Sequence, residues 1–226
     1  MADRELQGVS KHFGGVRALD DVSLAVAGGT VHAIVGENGA GKSTLGRIVA
    51  GSLSAERGRL LLDGAPASFR SPRDALDHGV AAISQEPALV PQLSVAENVY
   101  LGSEPKRAAF IRRRALRRAY ADLASRAGFD LPGQARAATL RTAEQQKTEI
   151  LRALSRDARI IVMDEPSAAL SAPETAQLHE IVRSLAERGT TILLISHFLR
   201  EVLALGDAVT VLRDGKVVRT AVTSEE

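Results

Sequence analysis

Gly36-Glu37-Asn38-Gly39-Ala40-Gly41-Lys42-Ser43, followed by Thr44, has the spacing G-x-x-x-x-G-K-S/T of a loop that holds phosphate. Glycines let consecutive backbone N–H groups turn toward a phosphate with no Cβ in the way. A helix opening at Lys42 adds the partial positive charge of its N-terminus, Lys42 reaches the outer phosphates, and the Ser43 hydroxyl is an oxygen ligand for Mg²⁺. The alternative is a glycine-rich turn that carries a lysine. Further along, the apolar run Ile160-Ile161-Val162-Met163 ends in Asp164-Glu165-Pro166. There Asp164 is placed to hold Mg²⁺, and Glu165 to orient an attacking water or accept its proton. Alone, the pair also fits an acidic turn at a strand end. His197 follows a second apolar run, Thr191-Ile192-Leu193-Leu194-Ile195, then Ser196. It reads as a contact to a γ-phosphate or as a satisfied turn histidine. Gln85, after Ala82-Ile83-Ser84, offers an amide oxygen to the Mg²⁺ shell or is an ordinary loop glutamine.

These groups need elements that bring them to one place. Val31-His32-Ala33-Ile34-Val35 reads as a buried strand entering the loop, and residues 44–50 have helical apolar spacing that stops at Gly51. The unbroken apolar runs at 159–163 and 191–195 are those of parallel strands buried on both faces, joined by a crossover helix over 173–187. Strands alternating with helices after a phosphate loop predict a doubly wound α/β core, in which ligands bind beyond the carboxyl ends of the strands. The first thirty residues and residues 59–64 read as a small antiparallel sheet beside it, broken by Gly14-Gly15 and Gly28-Gly29. Helical spacing over 107–127 and 143–154 predicts a mainly helical segment at about 86–150 within a single domain spanning residues 1–226.

Composition narrows the class. With 226 residues and 45% hydrophobic content the chain can bury a sizeable core. No apolar run approaches the ~20 residues that span a bilayer, and Met1-Ala2-Asp3-Arg4-Glu5 lacks a signal-peptide pattern. The absence of cysteine excludes disulfides and thiolate metal sites and fits a cytoplasmic protein. A net charge of +2 with 3% aromatic residues gives little reason to expect nucleic acid. The one basic run, Arg112-Arg113-Arg114-Ala115-Leu116-Arg117-Arg118, reads as a solvated helix face.

Taken together, these motifs resemble the ATP-binding subunit of ABC transporters, a P-loop NTPase fold, nearly end to end. Residues 36–43 correspond to that family's Walker A, Gln85 to its Q-loop, 160–165 to Walker B and His197 to its switch histidine. Val9-Ser10-Lys11-His12-Phe13-Gly14 resembles the adenine-stacking loop, making Phe13 the stacking ring or, failing that, a core side chain. Residues 83–87 and 90–102 are similar to the first ATPase half of ribose-, xylose- and galactose-type importers, which usually carry two halves in one chain about twice this long. The resemblance implies ATP and Mg²⁺ at the site, catalytic roles for Glu165, His197 and Gln85, and Mg²⁺ ligation by Ser43, Gln85 and Asp164. It also implies a second ABC ATPase domain, an integral-membrane permease fed by an external solute-binding protein, and a peripheral place on the cytoplasmic face of the membrane, where the arginine run would lie near permease and leaflet. Soluble ABC ATPases of translation or DNA metabolism, and a nucleotide switch with little hydrolysis, are the other readings.

One motif departs from the pattern. Where the family presents L-S-G-G-Q at a helix N-terminus to a partner's nucleotide, this chain has Leu140-Arg141-Thr142-Ala143-Glu144-Gln145-Gln146. Arg141, Ala143 and Gln145 then face nucleotide without the short hydroxyl and the close glycine approach, though the helix dipole remains. Ser167-Ala168-Ala169-Leu170-Ser171 also drifts from the usual S-A-L-D. The expectation is an asymmetric ATPase in which one of two nucleotides is hydrolysed efficiently.

Overall fold

A computed structural model describes residues 2–83, 88–107, 110–168 and 170–223. In chain order the elements are β1 (Ala2–Phe13), β2 (Val16–Ala27), β3 (Val31–Val35), α1 (Lys42–Val49), β4 (Arg57–Leu62), β5 (Ala65–Ala67), α2 (Pro72–Asp77), β6 (Val80–Ile83) and α3 (Val95–Val99). Then come β7 (Lys106–Arg107), β8 (Phe110–Ile111), α4 (Arg113–Ala127), a 3₁₀ turn (Ala137–Thr139), α5 (Thr142–Leu154) and β9 (Ile160–Asp164). α6 (Ala172–Glu187), β10 (Thr191–Ile195), α7 (Leu199–Leu205), β11 (Ala208–Arg213) and β12 (Lys216–Val222) complete the chain.

The central sheet runs β12-β11-β3-β10-β9-β6, parallel throughout except for the β11–β12 hairpin. Alternation along each strand divides its apolar side chains between two cores. Ile161, Met163, Ile192 and Leu194 face a layer containing Ile150 and Leu151 of α5 and Leu178, Val182 and Leu185 of α6. Val162, Leu193, Ile195 and Ile34 face Leu45 and Ile48 of α1, together with Leu6, Leu19, Leu24 and Leu60 of the second sheet. Burial on both faces is why these strands read as unbroken apolar runs. The second sheet, β2-β1-β4-β5, is antiparallel, as the alternating segments and glycine breaks predict.

Helix α4 corrects one expectation. The helical spacing over 107–127 begins too early: Lys106 pairs with Ile111 and Arg107 with Phe110 in a short antiparallel ribbon, and the helix opens only at Arg113. Phe110 and Ile111 prefer extended backbone, and Phe110 is 79% exposed, so no helical face is there to bury it. The helix ends at Gly128, whose φ of 73° lets the chain turn back with Phe129 N–H on the Ala124 carbonyl at 2.9 Å. Leu116, Tyr120, Leu123 and Ala124 are its buried stripe, and the arginines at 112–114, 117 and 118 stand exposed around it.

Candidate functional site

Strand register assembles the site. Across β9 and β10, Asp164 lies opposite Ile195, and across β10 and β3, Ile195 lies opposite Ile34. The phosphate loop, Asp164-Glu165 and Ser196-His197 therefore leave the sheet at one edge, at the carboxyl ends of adjacent parallel strands. Ile83 of β6 pairs with Met163 and brings the chain toward that edge; Gln85 itself, with the rest of 84–87, lies outside the described residues.

In the loop, Gly41 precedes α1 with φ 101°, and a Cβ there would sit 2.3 Å from the Ala18 carbonyl oxygen, so β2 abuts the loop too closely for any other residue. α1 opens with no side-chain cap and no acidic residue in its first turn. Its free N–H groups and dipole are therefore available to an anion. Deeper in α1, Gly46 is the point of closest approach to the sheet: a Cβ would meet Ile195 Cδ1 at 2.5 Å. Lys42 is buried, its Nζ donating to the carbonyls of Gly36 (2.8 Å) and Glu37 (3.0 Å). Ala40 is buried, Gly36 is half-buried, and Glu37, Asn38 and Gly39 are exposed at the loop's outer turn. Thr44, the third residue of α1, is half-buried.

Ser43 Oγ donates to Asp164 Oδ1 at 3.2 Å. Burial raises the Asp164 carboxyl above its ordinary 3.8, opposed by the Ser43 hydrogen bond and by Lys42 and Arg47. A hydroxyl and a carboxylate burdened by desolvation are hard oxygen donors that a divalent cation would relieve. Among the described residues no group of three or more His, Asp or Glu side chains is poised to hold a metal. A cation here would take these two oxygens from the described residues and complete its shell from further oxygen donors, phosphate and water among them, the habit of Mg²⁺, so the residues present fit that ion.

Glu165 has φ 49°, a left-handed backbone unusual for this residue type. Its N–H donates to the Ile195 carbonyl at 2.9 Å, and its Oε1 lies 3.0 Å from His197 Nδ1. The His197 ring also lies 3.9 Å, centroid to centroid, from that of Phe198. Phe13 is 49% exposed at the end of β1, paired with Val16 across the Gly14-Gly15 turn, with Lys11 Nζ 5.7 Å from its ring centre. It is a surface ring, not a core side chain.

The family model described as "ABC transporter" matches residues 19–168. The chain belongs to the ABC transporter family. It is 49% identical over 217 residues to the putative ribose/galactose/methyl galactoside import ATP-binding protein 1 of Burkholderia ambifaria, covering 96% of this chain and 42% of that protein. It is 50% identical over 214 residues to the ribose import ATP-binding protein RbsA 2 of Streptomyces avermitilis (94% and 42% covered), and 45% identical over 213 residues to the arabinose import ATP-binding protein AraG of Rhizobium meliloti (94% and 42%). The chain thus spans less than half the length of these relatives. Among solved structures, the ADP conformation of the ATP-binding cassette MJ1267 superposes with a TM-score of 0.88 at 28% identity, covering 100% of this chain and 93% of that one. A nucleotide-free ATP-binding cassette of an ABC transporter gives 0.87 at 27% identity, covering 98% and 92%.

Within this ABC transporter fold the signature segment stands apart from the phosphate loop. Arg141 is the exposed N-cap residue of α5, its N–H bound to Glu144 Oε2 at 2.8 Å. Ala143 is half-buried in the first turn, and Gln145 Nε2 donates to the Leu140 carbonyl at 3.0 Å. Among the described residues none of the three bonds to the loop. Sequence reasoning missed the side chains that tie α5 to the site. Gln146 Nε2 donates to the carbonyl of Pro166, the residue after Glu165. Glu149 Oε1 accepts the Ala88 N–H at 2.8 Å, and Arg152 donates to the carbonyls of Ala88 and Asn98, both at 3.0 Å. Burial raises the Glu149 carboxyl against the pull of that N–H and of Arg152. Glu and Arg three residues apart on a helix are neighbours on one face, the signal that could have pointed to this pair.

Proposed function

We propose that the chain is one ATPase domain, spanning residues 1–226 with its helical part at about 86–150, that binds and hydrolyses ATP with Mg²⁺ to drive monosaccharide import. Its partners would be a second ABC ATPase domain, a membrane permease that holds it at the cytoplasmic face, and, indirectly, a solute-binding protein. The observation that carries this reading is the single sheet edge shared by Lys42, Ser43, Asp164, Glu165 and His197, with Glu165 and His197 at 3.0 Å. The printed names of the sugar-import relatives support the solute class.

Lys42 and the N–H groups of Gly39, Ala40, Gly41 and α1 hold the β- and γ-phosphates, and Phe13 stacks on the base. Bound Mg²⁺, held by Ser43, Asp164 and Gln85, would offset phosphate charge. Water attacks the γ-phosphorus as the bond to the β–γ bridging oxygen breaks, and Glu165 accepts the water's proton. His197 donates to Glu165 or to the γ-phosphate, fixing the carboxylate and registering the third phosphate. Arg141, Ala143 and Gln145 serve the partner's nucleotide rather than this chain's own, which makes the two sites unequal.

In the assembled transporter, Glu165→Gln should keep ATP affinity and lower hydrolysis by at least about 100-fold. Near-normal turnover would remove Glu165 from its role. Loss of ATP-dependent uptake of labelled ribose, arabinose or galactose should accompany the stall; if none of the three is carried by the unmodified complex, the solute class is wrong.

A further inference from the structure

Between β10 and α7 lie only Ser196, His197 and Phe198. Ser196 is fully buried, and its N–H continues the ladder to the Ile34 carbonyl of β3 at 3.2 Å. Its hydroxyl does two things at once. It donates to Glu201 Oε2 at 2.5 Å, and it accepts the Phe198 N–H at 3.1 Å. Both neighbours of His197 are thereby tied to one oxygen, and the peptide units that carry the histidine become a closed turn. Glu201 lies in the first turn of α7 and is 4% exposed. Burying a carboxylate is costly unless it is paired and hydrogen-bonded. His179 Nε2 on α6 is 3.6 Å from Glu201 Oε1, too far for a hydrogen bond. Among the described residues, the side-chain hydrogen bond of this carboxyl group goes to Ser196. A helix cap for α7 needs no such arrangement, since an N-cap side chain at the surface does it without burial.

We propose that Glu201 is a positioning residue for His197, acting through the Ser196 hydroxyl. With 41% of its side chain facing solvent, the imidazole rests on the Phe198 ring, 3.9 Å away, which the same turn holds in place. Its only side-chain hydrogen bond among the described residues is to Glu165. Direction is therefore imposed from beneath, through the backbone. The Glu201–Ser196–Phe198 chain sets where Nδ1 stands relative to the Glu165 carboxylate, and so decides how often the pair is assembled when ATP is bound. This rests on the hydrolytic reading given above.

The test uses the reconstituted transporter. Glu201→Leu and Ser196→Ala should each lower kcat roughly tenfold while the Kd for ATP stays within about twofold. Glu201→Gln keeps an acceptor for the Ser196 hydroxyl and should restore most of the loss. In a His197→Ala background, Glu201→Leu should cost nothing more, because the group it positions is gone. Hydrogen exchange at the Phe198 amide should accelerate in both Glu201→Leu and Ser196→Ala. Equal losses in ATP affinity and kcat, a further loss on top of His197→Ala, or unchanged exchange at Phe198 would overturn the proposal. If His197→Ala alone left hydrolysis intact, the hydrolytic role of His197 would fall, and the exchange result would still decide whether Glu201 orders this turn.

Discussion

Replacing Glu165 with glycine should remove hydrolysis and leave the fold as stable as before, or more so. Five non-glycine residues have positive φ among those described: Asp21, Asp63, Asp157, Asp214 and Glu165. Aspartate tolerates this region because its short side chain bonds locally, whereas glutamate does not, so the one glutamate stands where the chemistry is proposed. A left-handed backbone costs an L-residue about 1–2 kcal/mol. Glycine escapes that cost but loses about 0.4–1 kcal/mol more chain entropy on folding. Glu165→Gly should therefore be about 0.5–1 kcal/mol more stable than Glu165→Gln, which keeps the strain. In a chain of this size that is a rise in Tm of roughly 1–4 °C. At an unstrained position the order reverses, glycine being the less stable by about 0.5–1 kcal/mol. Thermal and urea melts of the two ligand-free variants, with ATPase assays of both in the assembled complex, make the comparison. A glycine variant that melts below the glutamine variant refutes the strain; turnover in either refutes the role.

Two further outcomes follow from other parts of the molecule. Burial in β3 pushes the His32 imidazole from its ordinary 6.5 down to about 4, with its Nε2 against Thr210 Oγ1 at 2.8 Å. The unfolded chain therefore takes up the proton first as pH falls, so this stability is whole above pH 6.5 and is lost toward pH 4, by roughly 3 kcal/mol. His32→Gln should remove that part of the acid lability in denaturant titrations across the window, and parallel curves for the two proteins would reject it. At the other end of the chain's chemistry, Arg141→Ser with Ala143→Gly restores the short hydroxyl and the close approach at α5. It should raise ATP turnover in the reconstituted transporter through the partner's site, and an unchanged rate counts against the inequality of the two sites.

The fold was legible where one physical pattern dominates. β3, β9 and β10 are apolar on both faces, so no amphipathic alternative competes, and the loop after β3 has little freedom to be anything else. Helix α3 was equally legible but went unread. Ser94-x-x-Glu97 forms a reciprocal cap, with the Ser94 N–H on Glu97 Oε2 at 2.9 Å and the Glu97 N–H on Ser94 Oγ at 3.3 Å. The start of α4 was obscured because Phe110 and Ile111 continue its apolar spacing by coincidence while pairing as a ribbon. Ser196 and Glu201 were beyond reach for a different reason. Their link joins a strand end to a helix turn, and nothing in a one-dimensional pattern tells a buried glutamate from an exposed one.

The charge balance of the site argues that it is built to be completed from outside. Lys42 and Arg47 are the cations that act on Asp164, and Asp164 and Glu165 stand against them. Lys42 spends two of its three donors on the Gly36 and Glu37 carbonyls. A triphosphate therefore arrives at a site whose side chains are already near neutral, with the uncapped N–H groups of α1 as the main unspent donors. On the function proposed above, the remaining positive potential would come from a divalent cation and from a helix N-terminus of a second ATPase domain. In this chain the matching helix N-terminus, at α5, carries Arg141 instead of a short hydroxyl. On the proposed reading it would offer a partner's nucleotide more charge and less fit, which favours holding ATP over aligning it for attack.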